Sequence, residues 1–477
     1  MYSSKLLNLL KTLSAEEMRW MAKFVRSPYH NSNKEVIALF DHLRKFHPKC
    51  DSASLSRDRI FQKIWPQTPY QDRQLRLLMF RLSNLIEAFL VAQQVKQDQI
   101  RYDQLLVSAL AERDLYDLFV QKNQALTETL EQQPLRDERY YELLWQLKLQ
   151  WTSHPETVRL QIPTKHLHET GELLDSFYAI AKLRYSSDLL NRQNILPENY
   201  SIFLLEELRK LAPENAAFQD NKVVLLYCDL LHLIEQPLNE AYYRRFEANF
   251  TLHQDLLKRI DRGAMLRCLI NAATQLYIAG KTSYLNNQYQ WFLSGLEADL
   301  FTENGRLPES TFLNIVVTAT ILRKVDWTRD FIDQYSALMS ANMLNFAKAY
   351  WHFSRREFQE SNTFLARVKE QDFSHQLRKK LLSVRNHFEI FCNDYSYYSL
   401  FLDESRAFEK FVRRNEQLTE RRAKAYLNFL TCVRKIGKLR SENKRVEEKQ
   451  KARLIEEIAG LQPLEARPWL LEKINEV

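Results

Sequence analysis

Apolar residues recur along this chain at the spacing of amphipathic helices. One set follows intervals of three and four residues: Val36, Leu39, Phe40, Leu43 and Phe46. This spacing places the side chains on one face of an α-helix. The flanking residues predict where that helix begins and ends, because Asn33 is a favoured N-cap and Pro48 cannot continue a helix.

The same periodicity predicts a compact helical bundle over residues 1–95. Ser14 and Glu17 have the spacing of a capping box, which predicts that a helix begins directly after Ser14. After a short helix expected near residues 60–65, a longer helix carries a narrow apolar seam: Leu75, Leu78, Leu82, Leu85 and Phe89. A narrow seam is typical of a helix that packs against other helices.

Farther along the chain, the pattern predicts helix pairs with an internal period. Trp327 and Phe358 each begin the second helix of a pair, and they lie 31 residues apart. This separation is close to the period of about 34 residues of tetratricopeptide repeats. Ala349 supplies a small residue where two helices of a repeat approach closely. We therefore predict an all-α protein with an N-terminal helical bundle followed by a degenerate tetratricopeptide-like α-solenoid.

Prolines between the predicted helices suggest four segments. The N-terminal helical bundle covers residues 1–95, and a helical connector or the first solenoid helices cover residues 96–195. Tetratricopeptide-like helical repeats cover residues 196–440. A charged C-terminal helix and tail cover residues 441–477.

Glycine content strengthens the helical interpretation. The chain has seven glycines in 477 residues, and the first is Gly171. Ordinary proteins contain roughly 7% glycine, and hairpin turns and phosphate-binding loops depend on it. We therefore expect at least about 65% helix and essentially no sheet.

Cysteines and hydropathy bear on the compartment. The five cysteines are odd in number and widely spaced, which favours free thiols in a reducing compartment. No apolar run approaches the length of a membrane span, and the N-terminus does not have the pattern of a signal peptide. We expect a cytoplasmic protein without a membrane segment.

Several segments carry a resemblance to known sequences: Lys23–Asn31, Glu303–Leu307, Thr311–Val316, Asp326–Trp327 with Phe331, Ile332 and Tyr335, Asn345–Tyr350, Arg413–Asn415 and Tyr426–Phe429. Together they resemble an uncharacterised family of tetratricopeptide-like helical-repeat proteins of Bacteroidota-type bacteria. The resemblance implies a helical-repeat fold and implies no activity.

Motifs that would indicate catalysis are incomplete. Gly280, Lys281 and Thr282 match the end of a phosphate loop, but Gln275 stands where that motif needs a glycine. A helix C-cap explains Gly280 better. Two Asp-x-x-His pairs have a spacing that could bind a metal, yet local hydrogen bonds explain both: Asp229 with His232, and Asp372 with His375. We predict no catalytic, cofactor-binding or metal-binding residues, and a protein that is not an enzyme.

The distribution of charge is the sequence feature that most directly suggests a function. The chain carries a net charge of +8, and residues 376–456 hold 20 lysines and arginines against 11 aspartates and glutamates. Near a helix-turn-helix junction around Leu418 and Thr419, five of these cations form a candidate patch for an anionic partner: Arg413, Arg414, Arg421, Arg422 and Lys424. Such a patch either binds an acidic group or is a solvated helix face.

Two functions fit these observations. The first is a non-enzymatic scaffold whose concave surface, formed by the first helices of successive pairs, receives a peptide or helix of a partner protein. The alternative is a nucleic-acid-associated or regulatory protein that uses the basic C-terminal third. The two differ in salt dependence, because phosphate contacts weaken steeply as salt increases.

Overall fold

A computed structural model describes residues 5–50, 55–193, 200–212, 214–369, 373–441 and 448–476. The fold is 78% helix. Within the described ranges there is no β-strand, and the only β-type pairing joins Glu303 and Arg306 in an isolated bridge. The prediction of an all-α protein is confirmed.

The chain divides into two compact units. The first comprises Met1–Gln132 and Leu149–Ile162, and the second comprises Gln133–Lys148 and Pro163–Val477. Helix α8 (Glu138–Ser153) contributes residues to both. The other helices of the first unit are α1 (Lys5–Thr12), α2 (Ala15–Arg26), α3 (Lys34–Arg44), α4 (Arg57–Ile64), α5 (Asp72–Gln97), α6 (Gln99–Ala111), α7 (Tyr116–Glu131) and α9 (Pro155–Arg159).

The second unit contains the remaining helices. They are α10 (Lys165–Gln193), α11 (Leu205–Leu211), α12 (Ala216–Gln219), α13 (Lys222–Glu235), α14 (Glu240–His253), α15 (Arg259–Ile278), α16 (Tyr284–Glu297), α17 (Glu309–Ile321), α18 (Val325–Tyr335), α19 (Ala341–Ser354), α20 (Phe358–Ala366), α21 (Phe373–Asn393), α22 (Tyr398–Arg414), α23 (Glu420–Ser441), α24 (Glu448–Gly460) and α25 (Arg467–Asn475).

Helix starts in the first unit follow the sequence signals. The Ser14 hydroxyl accepts a hydrogen bond from the Glu17 backbone N–H, and the Glu17 carboxylate accepts one from the Ser14 N–H, which completes the predicted capping box. Asn33 caps α3 in the same way, through its side-chain oxygen. An apolar core drawn from residues 6–89 is buried among these helices.

Helix pairs in the second unit begin where the pattern predicts. Trp327 lies in the first turn of α18, and Phe358 is the first residue of α20. Ala349 on α19 is fully buried, and its carbonyl accepts a hydrogen bond of 2.8 Å from the Ser361 hydroxyl on α20. The small residue thus lets α19 and α20 approach closely.

Three successive first helices of these pairs end with the same backbone turn. Gly280, Arg323 and Arg356 follow α15, α17 and α19 with φ of 103°, 56° and 64°. In each case the next N–H bonds back to a carbonyl five residues earlier: Lys281 to Leu276, Lys324 to Ala319 and Glu357 to His352. These are Schellman-type helix ends, and two of them form without glycine.

In the part of the chain that the structure describes, no helix is both long enough and apolar enough to cross a membrane.

Candidate functional site

The second unit contains a cavity of about 870 Å³. Its wall is built mainly by first helices of successive pairs, α15, α17, α19, α21 and α23, together with residues of α16 and α25. Its volume falls within the range of roughly 300–1,000 Å³ that ligand sites occupy. Aromatic side chains face it from several helices: Tyr277, Tyr350, Phe353, Tyr426 and Trp469.

The wall of the cavity is positively charged. Among the described residues, seven basic side chains line it: Arg323, Arg355, Arg356, Arg378, Arg385, Arg422 and Lys473. Three acidic side chains accompany them: Glu389, Glu465 and Glu472. Arg323 and Arg356 are the residues of the left-handed turns that end α17 and α19. The shared helix-end geometry therefore brings both to the cavity wall.

Two of the three acidic side chains are already bonded. Glu389 accepts hydrogen bonds of 2.9 Å from the Trp469 indole N–H and from the Lys473 ammonium. Glu472 forms an ion pair of 3.2 Å with Arg323. Burial would lower the pKa of Lys473, but the carboxylates of Glu389 and Glu476 raise it instead. Lys473 is thus a neutralised, structural cation.

Arg385 on α21 differs from Lys473, because no described carboxylate contacts it directly. Its guanidinium lies over the ring of Phe353, 4.5 Å from the centroid, and over that of Trp469, at 5.0 Å. It forms no hydrogen bond or ion pair with any residue that the structure describes, and its Nε is buried without an acceptor. Burial lowers the pKa of this guanidinium. The charges of Glu389 and Glu472 oppose that decrease. Arg385 is half-buried and its two Nη groups are not among the buried unpaired atoms, so they reach the open part of the cavity and make this position a candidate site for an anion.

A second group of charges lines another part of the wall. Arg378 donates a hydrogen bond of 2.8 Å to the side-chain oxygen of Asn314. Burial raises the pKa of Glu465, and the charges of Arg422 and Arg378 oppose that increase. Burial also raises the pKa of Tyr350, against the charges of Arg378 and Arg385. The Tyr350 hydroxyl therefore stays protonated and can donate a hydrogen bond to a ligand.

The five cations singled out by their spacing lie at a helix-turn-helix junction, between α22 and α23, and all five are exposed. Arg422 lines the cavity. Arg413 is held by an ion pair of 2.8 Å with Glu409, and Arg414 borders a shallow depression on α22. Arg421 and Lys424 are exposed on the first turns of α23.

Arg385 was missed at the sequence level, although a signal for it exists. It lies four residues after Leu381 and three before Phe388, so it interrupts the apolar stripe of α21. An arginine within an apolar helix stripe must either pair with a carboxylate or face a cavity.

The remaining chemical candidates have structural explanations. Gly280 ends α15 with positive φ, as the C-cap interpretation predicts. Asp229 pairs with Arg245 at 2.6 Å, while Asp372 lies outside the described residues. Within the described residues there is no group of three or more His, Cys, Asp or Glu side chains that could hold a metal ion. Burial raises the pKa of the Cys228 and Cys268 thiols to about 12, which makes them poor nucleophiles.

Comparisons of this chain with protein-family profiles, with curated protein sequences and with solved structures give no match. The resemblance to tetratricopeptide-like proteins therefore stays a prediction from the sequence.

Proposed function

We propose that this protein is a non-enzymatic interaction scaffold in which the second unit receives a short segment of a partner protein. In this proposal, the helix pairs of the second unit stack as a tetratricopeptide-like solenoid. The cavity described above is the inner surface of that stack. The observation that carries the proposal is that first helices of successive pairs, α15, α17, α19, α21 and α23, supply most of the cavity wall.

The lining suits a peptide of mixed character. Aromatic rings such as Tyr277 and Phe353 offer apolar contact area, and polar groups such as Asn271 and Gln288 offer hydrogen bonds to a peptide backbone. Binding sites commonly combine an apolar wall with a few placed polar groups. Helical-repeat proteins also present such inner surfaces to extended or helical segments.

Binding of nucleic acid by the basic C-terminal third is the second candidate function. It depends on the cations at the α22–α23 junction, because all five residues singled out there are exposed to solvent. Contacts with phosphates would make binding fall steeply with salt, whereas insertion of a peptide into the cavity would not.

Selection of binding peptides tests the scaffold proposal. Random peptides displayed on phage are enriched on the wild-type protein, and their affinities are then measured on two tryptophan variants. Thr274→Trp places a bulky ring in the cavity. Thr431→Trp is its matched control on the exposed side of α23, because both hydroxyls bond to the carbonyl four residues earlier, at 2.8 and 2.9 Å.

We expect the enriched peptides to bind the wild type and Thr431→Trp with similar affinity, and to lose at least about tenfold on Thr274→Trp because the ring occupies their volume. Far-UV circular dichroism verifies that both variants are folded. If no peptide is enriched, or if enriched peptides bind folded Thr274→Trp as tightly as wild type, the cavity is not the peptide site.

A further inference from the structure

We infer that the cavity binds its ligand through an oxyanion, a carboxylate or phosphate group, which takes the in-plane hydrogen-bond donors of Arg385. This inference rests on the proposed function, because it names the chemistry of the group that the partner segment brings into the cavity. It would make Arg385 the residue that selects acidic or phosphorylated segments over neutral ones.

Arg385 has unmet hydrogen-bonding capacity. A guanidinium carries five N–H donors in one plane. No described residue accepts from any of them, and Nε is buried without a partner. The rings of Phe353 and Trp469 contact the guanidinium by cation–π interactions, which do not use the N–H groups. The Nε is closed off by burial, but the two Nη groups are not among the buried unpaired atoms and remain available to a ligand.

The carboxylates nearest to Arg385 already bind other residues. Glu389 is one helical turn away on α21, yet it is held by Trp469 and Lys473. Glu472 on α25 is paired with Arg323. Bringing either to Arg385 would break an existing contact. Both carboxylates act on Arg385 through their charge without accepting its N–H groups, so an acceptor for its Nη donors would come from a ligand.

The geometry of the Arg385 donors determines which anion fits. The two Nη groups of arginine each direct one N–H outward, and these two parallel donors match two oxygens of one group. Carboxylates and phosphates offer two such oxygens, whereas chloride offers a single acceptor. Lysine presents an ammonium without this fork. The site should therefore prefer oxyanions to chloride, and Arg385→Lys should not replace the arginine.

A chemical footprint on the wild-type protein tests the inference without mutation. Phenylglyoxal modifies accessible arginines, and peptide mass spectrometry gives the rate at Arg385 and at Arg413, an exposed arginine that is paired with Glu409. The reaction runs in sodium chloride, acetate or inorganic phosphate at equal ionic strength. We expect acetate and phosphate to slow modification of Arg385 relative to chloride and to leave Arg413 unchanged. Equal rates at Arg385 in all three salts, or equal slowing at both arginines, would overturn the inference.

Thermal unfolding of variants provides the second measurement. Ligands that bind only the folded state raise the melting temperature, and phosphate also stabilises proteins in general. Arg413→Gln is the control, because it keeps Arg385. The rise in melting temperature that is lost with Arg385 but kept in Arg413→Gln measures anion binding at the cavity. We expect Arg385→Gln and Arg385→Lys to bind the anion about 10- to 100-fold more weakly, as for a lost hydrogen bond to a charged group. If the anion raises the melting temperature of Arg385→Gln as much as that of the wild type, the assignment is contradicted.

The same data show which oxyanion binds, and they distinguish failure of this inference from failure of the proposed function. A lower half-saturating concentration for phosphate than for acetate identifies a phosphorylated segment, and the reverse identifies an acidic one. If anions protect Arg385 but no peptide is enriched, the proposed function fails alone. If enriched peptides bind wild type and Arg385→Gln equally, the oxyanion inference fails alone.

Discussion

Glu465 is a carboxyl group in the cavity wall whose surroundings oppose its ionisation. Burial raises its pKa, and Arg422 and Arg378 offset only part of that increase. A carboxyl whose pKa is higher in the folded state than in the unfolded state destabilises the fold where it is ionised. The penalty is fully present above the folded-state pKa and is absent below the ordinary value of 4.5.

We therefore expect Glu465→Gln to raise the melting temperature near neutral pH, because the amide removes a buried charge while keeping the shape. The gain should shrink towards zero at about pH 4, where the native carboxyl is itself neutral. Thermal unfolding at both pH values measures this. A variant that is less stable than wild type at neutral pH would show that Glu465 acts as a needed partner of Arg378 and Arg422.

The sequence predicted part of this site at the residue scale. Clustered charge singled out Arg422, which does line the cavity. It missed Arg385 and Arg323, because residues 270–473 contribute to the wall and charge counts along the chain detect only neighbours in sequence. The ring contacts of Arg385 depend on how α19, α21 and α25 pack, and no local pattern contains that information.

At the scale of elements, the helix ends explain how a chain with few glycines turns so often. Only Gly280 and Gly305 have positive φ among the described glycines, while Arg323 and Arg356 adopt the left-handed conformation without being glycine. Each such residue costs roughly 1–2 kcal/mol of local strain. Helix starts were predictable from Ser14 and Asn33, and the helix end at Gly280 was predictable too. The ends at Arg323 and Arg356 were not, because arginine carries no turn signal.

Two of the glycines that lie inside helices allow a matched test of packing. At Gly295 on α16, an added methyl group would meet the ring of Phe301 and would lie 2.7 Å from Leu266. At Gly171 on α10, nothing lies within 4 Å. We expect Gly295→Ala to destabilise by about 1–3 kcal/mol through overpacking. We expect Gly171→Ala to stabilise by about 0.5–1 kcal/mol, because alanine loses less chain entropy in a helix.

Urea unfolding of both glycine variants gives these free energies. Destabilisation by Gly171→Ala would show that α10 has a close neighbour at this position. A neutral Gly295→Ala would show that the contact of α16 with Phe301 is looser than described.

At the scale of the whole molecule, the second unit presents two candidate functional surfaces. The cavity and the exposed cations at the α22–α23 junction are distinct, and Arg422 alone of the five predicted residues belongs to the cavity. Changing Arg422 separately from the other four therefore distinguishes a peptide scaffold from a nucleic-acid-binding protein.

We expect Arg422→Gln to weaken binding of enriched peptides, because it removes a cation from the cavity wall. The fourfold variant of Arg413, Arg414, Arg421 and Lys424 to Gln should leave that binding unchanged. It should also stay within about 1–2 kcal/mol of wild-type stability, since exposed charges contribute little. Titration with single- and double-stranded DNA and RNA at two salt concentrations completes the comparison. Wild-type binding with a steep salt slope that the fourfold variant loses would instead support the nucleic-acid function.

The most direct test of the account is a crystal structure of the full chain with the most strongly enriched peptide. We expect the peptide to lie in the cavity lined by α15, α17, α19, α21 and α23, with a carboxylate or phosphate oxygen within about 3 Å of an Arg385 Nη atom. A peptide bound elsewhere on the chain, with the cavity unchanged and Arg385 without a ligand, would contradict it.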